Sequence, residues 1–166
     1  GTPADRSGNG LDLTQQNDTN LVAFVDGGFC GKAARFSGFS SLKMGYAQAF
    51  NINTYSISLW VKLALKDVGH QGFFSTRVDT GELGAGGTFD FKFNGSSYIS
   101  CYNAAVGGAG ASITAEQGGN LATDTWHMVT YVVRPGRTDV YLDGVWKNAM
   151  DALTPTLLTA GHILTI

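Results

Sequence analysis

Residues 126–144 read WHMVTYVVRPGRTDVYLDG, and this stretch decides the fold. Seven of the eight residues 126–133 are apolar, aromatic or β-branched, which suits a strand better than a helix. Arg134-Pro135-Gly136-Arg137 then reverses the chain, because proline presets φ and glycine accepts a positive one. Residues 138–142 alternate: Val140 and Leu142 fall on one face, Asp139 and Tyr141 on the other. Asp143-Gly144 is a strong two-residue hairpin signal. At least three successive antiparallel strands are therefore predicted here.

The same grammar extends outward. Residues 55–63 place Tyr55, Ile57, Leu59, Val61 and Leu63 on one face and Ser56, Ser58, Trp60 and Lys62 on the other. In 88–94, Phe89, Phe91 and Phe93 share a face, and 98–102 is the expected hairpin partner across Asn94-Gly95. Shorter strands are expected at 11–14, 33–36, 41–44 and 72–76, with a further start at 163–166. Asp26-Gly27-Gly28 reads as a turn, and 107–119 as a small-residue loop with one short strand near Ile113. About ten short strands separated by Gly, Asn and Asp turns form an all-β sandwich pattern. No internal repeat and no convincing helix stand out.

Composition narrows the function. Charged residues make up 14% of the chain, against about 25% in ordinary soluble domains. Glycine accounts for 23 of 166 residues, and glutamate occurs only at Glu82 and Glu116. Net charge is −2 with no basic run, so a phosphate-backbone partner is not expected and no nucleic acid is assigned. No apolar stretch approaches the roughly 20 residues of a membrane span. Cys30 and Cys101 lack zinc spacing. They form either one disulfide, in a secreted chain, or two separate thiols.

Five pieces in order carry a family resemblance. They are Asp5-Arg6-Ser7-Gly8-Asn9-Gly10, Gly31-Lys32-Ala33-Ala34-Arg35-Phe36-Ser37-Gly38 and Tyr55-Ser56-Ile57-Ser58-Leu59-Trp60-Val61-Lys62. The last two are Trp126-His127-Met128-Val129 and Val140-Tyr141-Leu142-Asp143-Gly144. The chain resembles the laminin-G-like, concanavalin-A-like lectin/glucanase jelly-roll modules, particularly their bacterial and viral branch. The resemblance implies a two-sheet antiparallel jelly-roll sandwich spanning residues 1–166 as a single domain. It also implies that the family's first and last strands are missing, so that the chain is a segment of a longer protein. Either unassigned ends or strand addition from a neighbour would account for them. The expected core includes Phe36, Ile57, Leu59, Val61, Phe89, Phe91, Val129, Tyr131, Val140 and Leu142.

Three kinds of chemistry bear on the function. Relatives in this family often hold a structural calcium ion near the early Asp turn, which implies one Ca²⁺ at Asp5, Ser7 and Asn9. The turn offers a carboxylate, a hydroxyl and an amide, which are hard oxygen ligands. The alternative is an Asp that bonds its own backbone. A sugar site needs a flat aromatic face with short polar side chains beside it. Trp146 is preferred, just past the Asp143-Gly144 turn, with Tyr98, Tyr102, Asn94, Asn103 and Asp90 as further candidates. Trp60 is read as packing beneath a loop that crosses the sheet. Hydrolysis on this fold needs paired acids on one strand face. The two glutamates sit in separate glycine-rich loops, Asp143 belongs to a turn, and no nucleophile accompanies His70, His127 or His162. No catalytic residue is assigned.

The expected function is a non-catalytic recognition or adhesion module that binds carbohydrate or a cell surface. The alternative is a structural or decoration domain displayed on a larger assembly, such as a virus particle or fibre, with other chains of that assembly as partners. Either role places the chain outside the cell, on a cell surface or on a virion surface.

Overall fold

Both reversals predicted in 126–144 form. β10 (Trp126–Arg134) and β11 (Arg137–Leu142) pair antiparallel around Pro135-Gly136, and β12 (Val145–Asp151) returns along β11 after Asp143-Gly144. Asp143 and Gly144 both have positive φ, 52° and 79°, the backbone of a type I′ turn that matches the twist of the strands it joins. The computed structural model describes residues 4–15, 20–37, 40–45, 52–64, 71–78, 89–93, 99–103, 109–112, 121–151 and 162–166. Among them no residue is helical.

β5 (Tyr55–Lys62) pairs with β10 over its full length, completing a four-stranded sheet in the order β12-β11-β10-β5. The second sheet collects β1 (Thr14–Gln15), β4 (Leu42–Met44), β6 (Gln71–Val78), β7 (Phe89–Phe93), β8 (Ile99–Asn103), β9 (Ala109–Ser112) and β13 (His162–Thr165). Its order is β1-β4-β13-β6-β7-β8-β9, so β13 inserts between two strands far ahead of it in sequence. Every ladder is antiparallel, and Leu63 and Thr123 add one isolated parallel bridge.

The two large sheets share one core. Val129, Tyr131 and Val133 from β10 and Val140 and Leu142 from β11 meet Phe73, Phe91, Phe93, Ile99 and Cys101 from the other sheet. The Phe91 and Tyr131 rings lie 4.1 Å apart across the interface, and the Tyr131 hydroxyl donates to the Ser100 carbonyl at 3.5 Å. Burial of each such side chain contributes about 1.5–3 kcal/mol before entropy is counted. Burial also pushes the Cys101 thiol up to about 12 and the Tyr131 hydroxyl well above its usual range. Ile57, Leu59 and Val61 are half-buried against this cluster, as the alternation of β5 predicts. The two cysteines are unbonded: Cys30 is exposed and Cys101 is buried in the core.

Two expectations need correction. Asp26-Gly27-Gly28 is not a turn but the end of β2 (Ala23–Gly28), which pairs with β3 (Gly31–Arg35) as a separate two-stranded sheet. The reversal falls at Phe29-Cys30 instead. Gly27 takes a φ of +88° and Gly28 lies against β3 so closely that a Cβ would sit 2.7 Å from the Lys32 carbonyl carbon. The glycines are there for a bulged, tightly packed hairpin, a use the turn signal imitates. Phe36, expected in the core, is 42% exposed. It follows β3, which belongs to this outlying hairpin rather than to either large sheet. The side chain of Phe89, also expected in the core, lies outside the described residues.

Candidate functional site

Trp146 owes its position to the Asp143-Gly144 turn, whose two residues set Leu142 against Val145 and Tyr141 against Trp146. Tyr141 pairs with Trp146 but Val140 pairs with Asn148, so Lys147 is the extra residue in β12. Pairing with Tyr141 puts Trp146 on the outer face of the four-stranded sheet, the face of Asp139 and Tyr141, and the bulge shifts only the part of β12 that follows. The Trp146 Nε1–H donates to Asp139 Oδ1 at 3.1 Å, yet the residue remains 51% exposed. The indole is thus fixed at its nitrogen and open over much of its surface.

Asp139 anchors more than the indole. Arg134 and Arg137 are register partners at the end of the β10–β11 hairpin, and like charges directly opposite repel. The Asp139 carboxylate offsets this. Its Oδ1 accepts from Arg137 Nε at 3.1 Å and Nη2 at 2.9 Å, while Oδ2 accepts from Arg134 Nη2. The sequence places Asp139 on the outer face, and so it is, but it is only 4% exposed because the two guanidiniums and the indole cover it. Both arginine side chains remain about half exposed. Sequence reading missed this cluster. The R-P-G-R-T-D order, with Asp two residues past the second arginine on the same face, is the signal that could have revealed it.

Next to the cluster, His127 and Asp143 brace the second hairpin. Asp143 Oδ2 is 2.8 Å from His127 Nδ1, and Oδ1 accepts the Met128 amide at 2.8 Å. Partial desolvation pushes the Asp143 carboxyl up. The hydrogen bonds from His127 and Met128, with the nearby positive charge of Lys147, outweigh it and leave the group below its ordinary value. The pair's role here is to hold the turn.

A second aromatic feature occupies the opposite edge of the same face. Trp60 of β5 is 42% exposed and stacks on Phe29, with ring centroids 3.5 Å apart and planes 10° apart. Phe29 is in the β2–β3 turn and is 51% exposed. The expectation that a loop crosses over Trp60 therefore matches the arrangement, and the crossing residue is itself an exposed ring. Ser58 of the β5 edge and Thr130 of the neighbouring β10 bring their Oγ and Oγ1 within 2.9 Å.

The remaining sugar candidates are elsewhere. Asp90 and Tyr102 are backbone partners in β7 and β8, and Asn103 pairs with Phe89. These positions belong to the seven-stranded sheet, so they do not gather with Trp146. Asn94 and Tyr98 lie outside the described residues, as do Glu82, Glu116 and His70.

The Asp5 turn is folded on itself. Asp5 Oδ1 accepts the Ser7 amide at 2.7 Å; Oδ2 accepts the Ser7 hydroxyl, the Leu11 amide and the Asn9 amide at 2.8, 3.0 and 3.1 Å. These bonds, led by that from the Ser7 hydroxyl, lower its pKa to about 2. Asn9 Nδ2 donates to Ser7 Oγ at 2.9 Å. A calcium ion needs those carboxylate oxygens as ligands, and in this arrangement both already face N–H and O–H donors.

Comparison with known proteins agrees with this architecture. The family model of laminin G type described as the Concanavalin A-like lectin/glucanases superfamily matches residues 36–166. No curated protein sequence matches the chain. Among solved structures, the chain is similar to domain 4 of AbnA, a GH43 extracellular arabinanase from Geobacillus stearothermophilus, in complex with arabinotriose. The identity there is 22% and the TM-score 0.76, over 98% of this chain and 76% of that chain. It is similar to the binding domain of Paraclostridial Mosquitocidal Protein 1 at 13% identity and a TM-score of 0.65, over 98% of this chain but 44% of that chain. The carbohydrate binding module CBM66 from Bacillus subtilis matches at 11% identity and a TM-score of 0.50, over 93% and 86% of the two chains. At these identities the likeness is one of fold.

Proposed function

The chain belongs to the Concanavalin A-like lectin/glucanases superfamily, and on that footing we propose that it is a non-catalytic recognition module. It binds carbohydrate, free or on a cell surface, through the outer face around Trp146. One observation carries the reading: an indole half open to solvent, held at its nitrogen by a carboxylate that two arginines cover. A ring in fixed orientation offers an apolar face to a sugar at little entropic cost. The guanidiniums beside it supply N–H donors for hydroxyls.

Other features support the same direction. A domain with this fold has been seen with arabinotriose, and another is named a carbohydrate binding module. Among the described residues, no helix is long and apolar enough to cross a membrane. We place the module outside the cell because the arabinanase that contains the similar domain is named extracellular. The carboxylates nearest Trp146 hold structure: Asp139 braces the arginines and Asp143 braces a turn.

The test is a glycan array followed by calorimetric titration, with arabinotriose as the first probe. The intact domain is expected to bind at least one glycan. Trp146→Ala should weaken that binding about tenfold or more with an unchanged circular dichroism spectrum. An intact domain that ignores every glycan sinks the reading.

A further inference from the structure

We propose that this face binds the interior of a linear, uncharged glycan laid across the strands, with Trp146 at one edge and the Phe29–Trp60 pair at the other. The inference rests on the recognition reading above and specifies the ligand of the same site.

The register supplies the geometry. Ser58, Thr130, Tyr141 and Trp146 are successive partners across β5, β10, β11 and β12. Trp60 lies two residues along β5 from Ser58. Three strand spacings separate the edges, about 14 Å, which is a span for an oligosaccharide rather than one sugar. The aromatic rings stand at the two ends, where they can each take an apolar sugar face. The hydroxyl of Thr130, 2.9 Å from that of Ser58 on the β5 edge, lies between them, where a glycan presents its own hydroxyls. Ser56, Ser58 and Trp60 are exposed along the β5 edge and Trp146 along the β12 edge. The β2–β3 turn crosses the β5 edge at Trp60 and leaves Ser56 and Ser58 exposed beside it, so a chain can run past that edge alongside the Phe29–Trp60 stack, and past Trp146 at the other, and the face selects an internal segment rather than a terminus.

Charge favours a neutral ligand. The carboxylate of Asp139 is bonded to both Arg134 and Arg137, and the chain as a whole carries −2. An acidic polysaccharide would have to compete with Asp139 for those guanidiniums. A neutral glycan meets hydroxyls, rings and N–H donors without displacing an ion pair.

The experiment uses the full chain and calorimetric titration with fragments of two to six units of arabinan, xylan, mannan and levan. Affinity should rise about tenfold from the shortest to the longest fragment of the preferred glycan. Phe29→Ala and Trp60→Ala should each remove that gain between the shortest and the longest fragment. Trp146→Ala should weaken both. Equal affinity for short and long fragments, or a gain that survives Trp60→Ala and Phe29→Ala, overturns the cross-strand proposal and leaves the recognition reading standing. Binding of none of the fragments or glycans overturns both. Both rings are exposed, so their loss should leave the fold unchanged, with circular dichroism as the control.

Discussion

Asp139 is the residue on which the outer face turns. It takes hydrogen bonds from Arg134, Arg137 and Trp146 in a nearly buried position. Asp139→Ala leaves two facing guanidiniums without their shared acceptor and frees the indole. Because both arginines are half exposed, water screens part of the loss. The expected destabilisation is about 2 kcal/mol, read by urea denaturation, together with weaker glycan binding from a Trp146 ring no longer held. Asp143 makes a pH prediction. Its folded pKa lies below the ordinary value, so its contribution is present above the unfolded pKa and is lost as pH falls through the folded one. Asp143→Asn should flatten the acid limb of a stability-against-pH curve; an acid limb as steep as the wild type's would contradict the bracing role. At this scale the sequence revealed residue types and left their partnerships hidden. Trp146 was legible by its place after a turn. The Asp139 cluster was not, because alternation assigns a face to a residue without saying what else covers it.

Hairpins were the most legible elements. Pro135-Gly136 and Asp143-Gly144 name their own backbone conformations, and both turns form where the residues place them. The β2–β3 hairpin was misread because glycine serves two purposes. At Gly28 it admits the backbone of Lys32 rather than turning the chain. Gly28→Ala should therefore push the two strands apart, because its Cβ would lie 2.7 Å from the Lys32 carbonyl carbon, inside van der Waals contact. The Phe29–Trp60 stack at the hairpin's tip should loosen, read as a change in tryptophan fluorescence, while the far-ultraviolet spectrum of the two large sheets persists. An unchanged fluorescence spectrum would show that the hairpin tolerates the methyl. The bulge at Lys147 was equally invisible beforehand. One extra residue in β12 leaves no compositional mark, yet it shifts the pairing of Asn148 and the residues after it.

At the scale of the whole molecule, period-two patterning predicted which residues point inward far better than which strands meet. Phe91, Val129, Tyr131, Val140 and Leu142 are buried together as expected. Nothing in a stripe of alternating residues specifies that β13 enters between β4 and β6, because pairing depends on long-range closure rather than local pattern. The same gap explains the scattered sugar candidates. Asp90, Tyr102 and Asn103 belong to one sheet and Trp146 to the other, a division that only the strand order reveals. The large face of β5, β10, β11 and β12 then becomes the surface of interest, with rings at its edges and the Thr130 hydroxyl between. Calorimetric titration of the intact domain and of Trp146→Ala against the best glycan from an array tests this most directly. The account predicts saturable binding by the intact domain and a loss of about tenfold or more in the variant. Equal affinity in the two proteins would contradict it.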